Sequence, residues 1–503
     1  MRLIAIYFFL LYSVLSWSQT NGFYRQYYFS NSVVSVCRDA FESPSGNLIL
    51  VGLTYDTSQA NNSNKLTIVG TDPNGNYLWR KNYGSKKFEH LDNILATRCI
   101  YKTANNFFYF ASVLDSNNKY LSVLTKFDFS GDTLWQKKFY DPTDDVVFQG
   151  IAPSFDGGWF VTGFFQTTSA RSVLIIKTDL NGKELWRKKV NSTNSNPAQD
   201  GHRIIQDSLT KKLIIVGYQY IGTKIYSNVL IADSLGNKIF QTNYSGTFGG
   251  QFNDLIQTID KNFIAVGIKD QGNNLGSNSR FKGHVVKFDI SGSILWQREF
   301  DTLAMYNNCN TVNELPNGDL IIGGHRDTCH NYNLPHSPQI RIIKLDKNGN
   351  LKWKKYYGPN NNAQLSFLNR SLNLTSSLGM VIANEFWYKP NPRPLSIIKL
   401  DSTGCDTFPS VCQNYSGIDY FLNGKNFWTI CPNPSYGLFN LSIPILPLDS
   451  YIQIINSFGL EIKRIKIESL HQNIDIREQE AGFYLLNIIH NGRVVKSNKL
   501  IKQ

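Results

Sequence analysis

The sequence predicts an all-β chain, a seven-bladed β-propeller followed by a small C-terminal β-sandwich, and three observations predict it. An Asp-x-x-Gly turn recurs at Asp72, Asp128, Asp179, Asp233, Asp289, Asp346 and Asp401, with its glycine at Gly75, Gly131, Gly182, Gly236, Gly292, Gly349 and Gly404. An aromatic follows four residues later: Trp79, Trp135, Trp186, Trp296 and Trp353 in five copies, Phe240 and Phe408 in the other two. A period of about 50 to 57 residues is that of a propeller blade. Each repeat also carries an apolar run ended by glycine, such as Gly157-Gly-Trp-Phe-Val-Thr-Gly163 or Asn262-Phe-Ile-Ala-Val-Gly267. Such a run suits a strand buried on both faces between stacked blades. The repeat stops near Cys412, and shorter β-like runs take over from Cys431.

The elements follow in chain order. Residues 1–18 hold Arg2, an apolar run from Leu3 to Leu15, and Ser16 and Ser18 around Trp17. That is the layout of a secretory signal peptide, with cleavage expected before Gln19. No other stretch is apolar for the roughly 18 or more residues that a spanning helix needs, so no transmembrane segment is expected. The propeller is assigned to residues 19–411, with four strands per blade. The first lies before the initial turn, at positions such as Val33–Arg38; the second is the glycine-ended run, the third leads to the Asp, and the fourth holds the aromatic. In the turn, the Asp carboxylate takes backbone N–H groups and the glycine adopts a positive φ.

The seventh repeat decays after Gly404 into Cys405-Asp-Thr-Phe-Pro-Ser-Val-Cys412, whereas Phe23-Tyr-Arg-Gln-Tyr-Tyr-Phe29 has the fourth-strand pattern of Leu78–Tyr83. The N-terminal strand is therefore expected to complete the last blade, which closes the ring and removes a raw sheet edge. Residues 412–430 read as a linker. Residues 431–503 read as a small antiparallel sandwich with runs at Leu438–Ile443, Tyr451–Asn456, Glu461–Ile467, Gly482–Ile489 and Val494–Ile501.

With 42% hydrophobic and 18% charged residues, the composition is that of a globular chain rather than a disordered one. The formal net charge is +13. Much of the basic character follows the aromatics, as in Arg187-Lys188-Lys189 and Lys352-Trp-Lys-Lys355. On outer strands these side chains discourage edge pairing; the alternative is attraction to acidic surface polysaccharide or lipopolysaccharide. No concentrated basic, aromatic groove is legible, so nucleic acid is not an expected partner. Seven cysteines leave at least one unpaired if the rest are oxidised. Cys405 with Cys412 and Cys309 with Cys329 are the expected bridges, and no zinc-site spacing occurs.

The tail resembles the C-terminal sorting domain of the type IX secretion system of Bacteroidetes. The matching residues are Pro432, Asn433, Pro434 and Gly437, the central Ile454-Ile-Asn-Ser-Phe-Gly459, Ile474-Asp475-Ile476, Ala481-Gly482-Phe-Tyr484-Leu and the closing Lys499-Leu-Ile-Lys502. The resemblance implies a partner in the type IX export machinery, passage through the periplasm, and release from the cell or attachment to its surface. The repeats resemble uncharacterised propeller proteins that carry this tail.

No Gly-x-Ser-x-Gly elbow, His-Glu-x-x-His or phosphate loop is present, so no catalytic residue is assigned and no cofactor is expected. The repeated tryptophans read as wedges between blades. The lysines two residues before the Asp (Lys126, Lys177, Lys287, Lys344 and Lys399) read as architecture. One cluster departs from the repeat, His325-Arg-Asp327-Thr-Cys329-His330 followed by His336. Its His325, Asp327, His330 and His336 are candidate metal ligands, read as a loop between the second and third strands of the sixth blade. The expected function is a secreted or cell-surface binding or interaction protein for a glycan or protein. The alternatives are a propeller enzyme acting on extracellular glycans or peptides, and a structural surface component.

Overall fold

The computed structural model describes residues 22–29, 33–56, 64–84, 98–114, 119–167, 170–190, 198–222, 224–244, 249–270, 281–300, 307–327, 338–357, 367–386, 393–404, 429–431, 433–442, 450–467, 471–490 and 493–503. Among these, all regular structure is β, and no helix is long and apolar enough to cross a membrane. Seven sheets of four antiparallel strands account for the repeats. The third shows the plan, with Asp145–Pro153, Trp159–Gln166, Arg171–Thr178 and Glu184–Val190 hydrogen-bonded in that order. The last sheet runs Phe367–Leu374, Met380–Phe386, Leu395–Leu400 and then Phe23–Tyr27, with Phe23 opposite Lys399 and Tyr27 opposite Leu395. The N-terminal strand is thus the fourth strand of the final blade, as the sequence pattern predicts.

The repeated turn works as its residue types dictate. Asp179 Oδ1 accepts the N–H groups of Asn181 (2.9 Å) and Lys183 (2.8 Å), and Gly182 sits at φ 75°. The glycine has a second purpose. A Cβ at Gly182 would lie 2.5 Å from the Trp135 ring, which comes from the preceding blade. Trp79 meets Gly131 in the same way, Trp186 meets Gly236, Phe240 meets Gly292, Trp296 meets Gly349, and Trp353 meets Gly404. Phe23 meets Gly75 and so supplies the seventh wedge; Phe408 lies outside the described residues. Bare backbone lets each ring lie flat on the neighbouring turn, which is how one blade keys into the next.

The residue two positions beyond each wedge shares its strand face. It is basic in six blades: Arg25, Lys81, Lys137, Lys188, Arg298 and Lys355. Its stem crosses the same glycine, with Lys137 Cγ 3.1 Å from the Cβ position of Gly182. Three of the heads bond the next turn, Lys81 to Asp132 (2.6 Å), Arg298 to the Gly349 carbonyl (2.8 Å) and Lys355 to the Thr403 carbonyl (2.7 Å). Part of the fourth-strand charge therefore clamps blades together, its aliphatic stem covering apolar surface while its head stays wet. The lysines before the repeated Asp are tied in likewise, Lys177 to Asp156 (2.8 Å), Lys287 to Asp260 (2.5 Å) and Lys399 to the Pro73 carbonyl (2.9 Å).

The Phe23→Ala variant should lose about 3–5 kcal/mol of stability, because it removes a buried ring at the ring-closing seam. Urea unfolding of the variant checks this, and an unchanged midpoint would mean that closure contributes nothing.

The tail contains a three-stranded sheet of Thr429–Cys431, Leu438–Ser442 and His471–Asp475. It also contains a four-stranded sheet ordered Glu461–Lys466, Ser450–Asn456, Gly482–His490 and Arg493–Lys502. Phe439, Leu441 and Ile474 from the first share one apolar core with Ile452, Ile454, Leu486, Ile488 and Leu500 from the second. Cys37 and Cys99 are buried thiols, and Cys309 Sγ accepts from Arg341 at 3.3 Å. Cys329, Cys405 and Cys412 lie outside the described residues, so both expected bridges do too.

Candidate functional site at the propeller axis

The innermost strands run longer than their sequence reading. The first spans Val33–Glu42 rather than ending at Arg38, because a β-bulge interrupts its pairing between Cys37 and Asp39. The same irregularity recurs in five other blades, at Gln149, His202, Asn253, Asn310 and Arg370. Arg98 holds the comparable place just ahead of Ile100–Lys102. A bulge leaves one residue unpaired and re-aims its side chain. Here the extra residue is polar or charged each time: Arg38, Gln149, His202, Asn253, Asn310 and Arg370.

Arg98 shows where these residues lead. Its guanidinium donates to the Val312 carbonyl (3.1 Å), to Asn313 Oδ1 (3.0 Å) and to the Leu372 carbonyl (3.1 Å), and it lies 3.3 Å from Asp254 Oδ2. One side chain of the second blade thus reaches the fifth, sixth and seventh. Asp254, fully buried, also faces Arg203 at 3.0 Å and accepts the Val312 N–H at 3.0 Å. Asp39 accepts from Asn373 Nδ2 (2.7 Å) and the Ala40 N–H (3.0 Å), yet burial pushes its carboxyl up to about 6.

A second group adjoins on the third and fourth blades. Asp200 Oδ2 accepts from Gln149 Nε2 at 2.8 Å and lies 3.8 Å from both Arg171 Nη1 and His202 Nε2; burial pushes its carboxyl up to about 7. Arg171 donates to the Tyr218 hydroxyl at 2.7 Å. His202 Nδ1 meets the Phe252 carbonyl at 2.7 Å, and a carbonyl only accepts, so Nδ1 carries the proton and Nε2 is bare. Burial lowers that imidazole to about 4. A third group joins Arg370 Nε to Glu385 at 2.6 Å, with Arg38 3.9 Å from the same carboxylate.

Together the three groups set Arg38, Arg98, Arg171, Arg203 and Arg370 against Asp39, Asp200, Asp254 and Glu385. Several of their polar atoms are buried and make no hydrogen bond among the described residues: Arg203 Nη1, Gln149 Oε1 and His202 Nε2. Buried polar groups are normally satisfied, so a concentration of exceptions marks a place built for something other than stability.

Two of the sequence-predicted metal candidates lie among the described residues. His325 and Asp327 belong to the strand Leu320–Asp327 rather than to a loop, and His330 and His336 lie outside the described residues. Burial and the guanidiniums of Arg370 and Arg341 pull the His325 imidazole down to about 3. Those same charges oppose a cation beside it. Among the described residues no group of three or more His, Cys, Asp or Glu side chains stands at metal-binding distance.

The sorting residues organise the tail. Asn433 donates to the Lys499 carbonyl (2.7 Å) and accepts the Ile501 N–H (2.9 Å), fastening the opening of the tail to its last strand. A Cβ at Gly437 would meet Arg477 Cα at 2.8 Å. Gly459 closes a turn in which Asn456 Oδ1 takes the Phe458 and Leu460 N–H groups at 3.0 Å each, the propeller turn with Asn in place of Asp. Gly482 opens its strand, Tyr484 donates to the Glu480 carbonyl at 2.6 Å, and Lys499 Nζ stands 3.7 Å over Phe483. Pro434 is exposed, and Pro432 lies outside the described residues.

Fold and tail together define an exported, all-β repeat protein. Residues 429–503 match the family described as the secretion system C-terminal sorting domain, and such a type IX tail implies a Bacteroidetes source and secretion or attachment at the cell surface. No curated protein matches the chain. Similar solved structures include the β-propeller domain of the trilobed protease from Pyrococcus furiosus, at 9% identity, 73% coverage of this chain, 93% of that one and a TM-score of 0.41. A protein of unknown function from Dyadobacter fermentans gives 9%, 75%, 97% and 0.36 in the same order. The NanB sialidase from Streptococcus pneumoniae gives 12%, 75%, 69% and 0.40. These likenesses are too distant to carry an activity to this chain.

Proposed function

We propose that the chain is a secreted or surface-displayed binding protein whose propeller receives its ligand at the axis, and whose tail, read as a small β-sandwich, is the address that the type IX machinery reads. The observation that carries this reading is the axial ring of buried polar side chains with unused hydrogen-bonding capacity. A ring that served stability alone would be apolar or fully paired. Surface polysaccharide and lipopolysaccharide are the natural ligands for a basic protein at that location. A second reading, an enzyme cutting extracellular glycans, is favoured by one pair: the Asp200 carboxyl near 7 beside the bare Nε2 of His202.

A glycan and protein array probed with residues 19–503, with and without EDTA, tests the proposal. Specific binding that survives EDTA is the expected result. Cleaved products in the spots would favour the enzyme, loss in EDTA would restore the histidine cluster as a metal site, and a blank array would overturn the binding reading.

A further inference from the structure

We propose that the exposed apolar face formed by the first turns of the propeller is a docking surface for a segment of the same chain, residues 405–428, which join the ring to the tail. The inference is independent of the ligand-binding reading above.

In each antiparallel sheet the turn from the first strand to the second and the turn from the third to the fourth lie at the same end. The first turns are keyed to one another around the ring. The Phe155 N–H donates to Gln206 of the next blade (2.9 Å), Ser208 to Gln257 (3.0 Å), Ile259 to Glu314 (2.8 Å) and, across the seam, Ser376 to Glu42 (2.6 Å). Lys211 Nζ of the fourth blade also stands 3.7 Å over the Phe155 ring. On this scaffold Phe155, Leu209 and Ile259 occupy three consecutive blades, each more than half exposed. Leu180, equally exposed, packs on the same turn as Phe155, 3.7 Å from the Cβ position of Gly157. Pro316 and Leu378 continue the exposed series onto the sixth and seventh blades. Turn tips are ordinarily Gly, Pro, Asn, Asp or Ser, so a run of large apolar side chains there marks a surface that something covers.

Three observations name the occupant. The strand Leu395–Leu400 runs into the turn closed by Gly404, so the chain leaves the ring on this face. The exit adjoins Leu378, since a Cβ at Gly379 would lie 2.5 Å from the Leu400 carbonyl oxygen. Residues 405–428, which lie outside the described residues, carry nine large apolar side chains, Tyr420-Phe421-Leu422 and Phe427-Trp428 among them, and only three charges. A connection meant to stay in water is rich in Gly, Ser, Pro or charge instead. Finally, the area fits a tethered partner better than a free one. Five such side chains expose on the order of 500 Å2, short of the roughly 800 Å2 per partner that a stable dimer buries. A segment attached at the edge of the face meets it at an effective concentration of about a millimolar and needs less.

Tryptic cleavage at Lys425, the one Lys or Arg among residues 405–428, tests the proposal when followed by mass on native residues 19–503. A variant carrying Phe155→Ser, Leu209→Ser and Ile259→Ser should be cut there about ten- to hundredfold faster than the parent, because cleavage follows the population of the undocked segment. The three side chains are exposed, so their loss leaves the blade cores intact. A second variant, Phe421→Ser with Leu422→Ser, removes the other half of the contact and should accelerate cleavage by a similar factor. Combining both sets should give no further gain, the mark of two groups that act through one contact. Equal rates in parent and variants, or effects that multiply in the combination, would overturn the docking. Protection that grows with protein concentration, accompanied by a dimer in sedimentation, would assign the face to a second copy and overturn it too.

Discussion

Replacing Asp254 with alanine is expected to destabilise the propeller by about 3–5 kcal/mol, the scale for removing one partner of a buried ion pair. Asp254 is wholly buried and lies 3.3 Å from the Arg98 guanidinium and 3.0 Å from that of Arg203. Its loss removes a buried carboxylate from two guanidiniums and leaves the Val312 N–H without its acceptor. Asp254→Asn keeps a hydrogen-bonding oxygen and should cost less. Chemical denaturation of both variants checks the ranking. A loss below about 1 kcal/mol for the alanine variant would place the pair in the solvated class instead.

Removal of residues 429–503 should leave the propeller folded and trapped inside the outer membrane. The tail has its own apolar core, with none of its strands in a propeller sheet, so the ring loses no strand with it. It also carries the sorting match. Surface labelling of cells expressing the truncation should fall to background while the periplasmic pool gives the same proteolytic fingerprint as the full chain. Undiminished surface labelling would sink the sorting assignment.

The ring was legible from Asp-x-x-Gly and its aromatic because those positions are constrained by backbone geometry: a glycine that must take a positive φ and also admit a ring cannot vary. The closing strand was legible for the same reason, since Phe23 occupies a wedge position. The axial site was not. Its residues, Arg38, Arg98, Gln149, His202, Asn253, Asn310 and Arg370, are of four types, and all but Arg98 share a bulge, which pairing creates and side-chain identity does not announce. The histidine-rich segment drew attention instead because its residue types are the usual metal ligands, while the guanidiniums near His325 come from the paired strand and from the next blade.

The last blade joins the first strand of the ring to be synthesised with the last, Phe23 against Lys399. Contacts of such wide sequence separation form late, because the loop entropy must be overcome before they contribute anything. Until the final blade exists, Phe23–Tyr27 has no template, and the six other sheets form an open arc with two bare edges. A newly made chain therefore spends its early life without a seam. A chain shortened anywhere before Leu395–Leu400 would therefore carry Phe23–Tyr27 without its pairing strand.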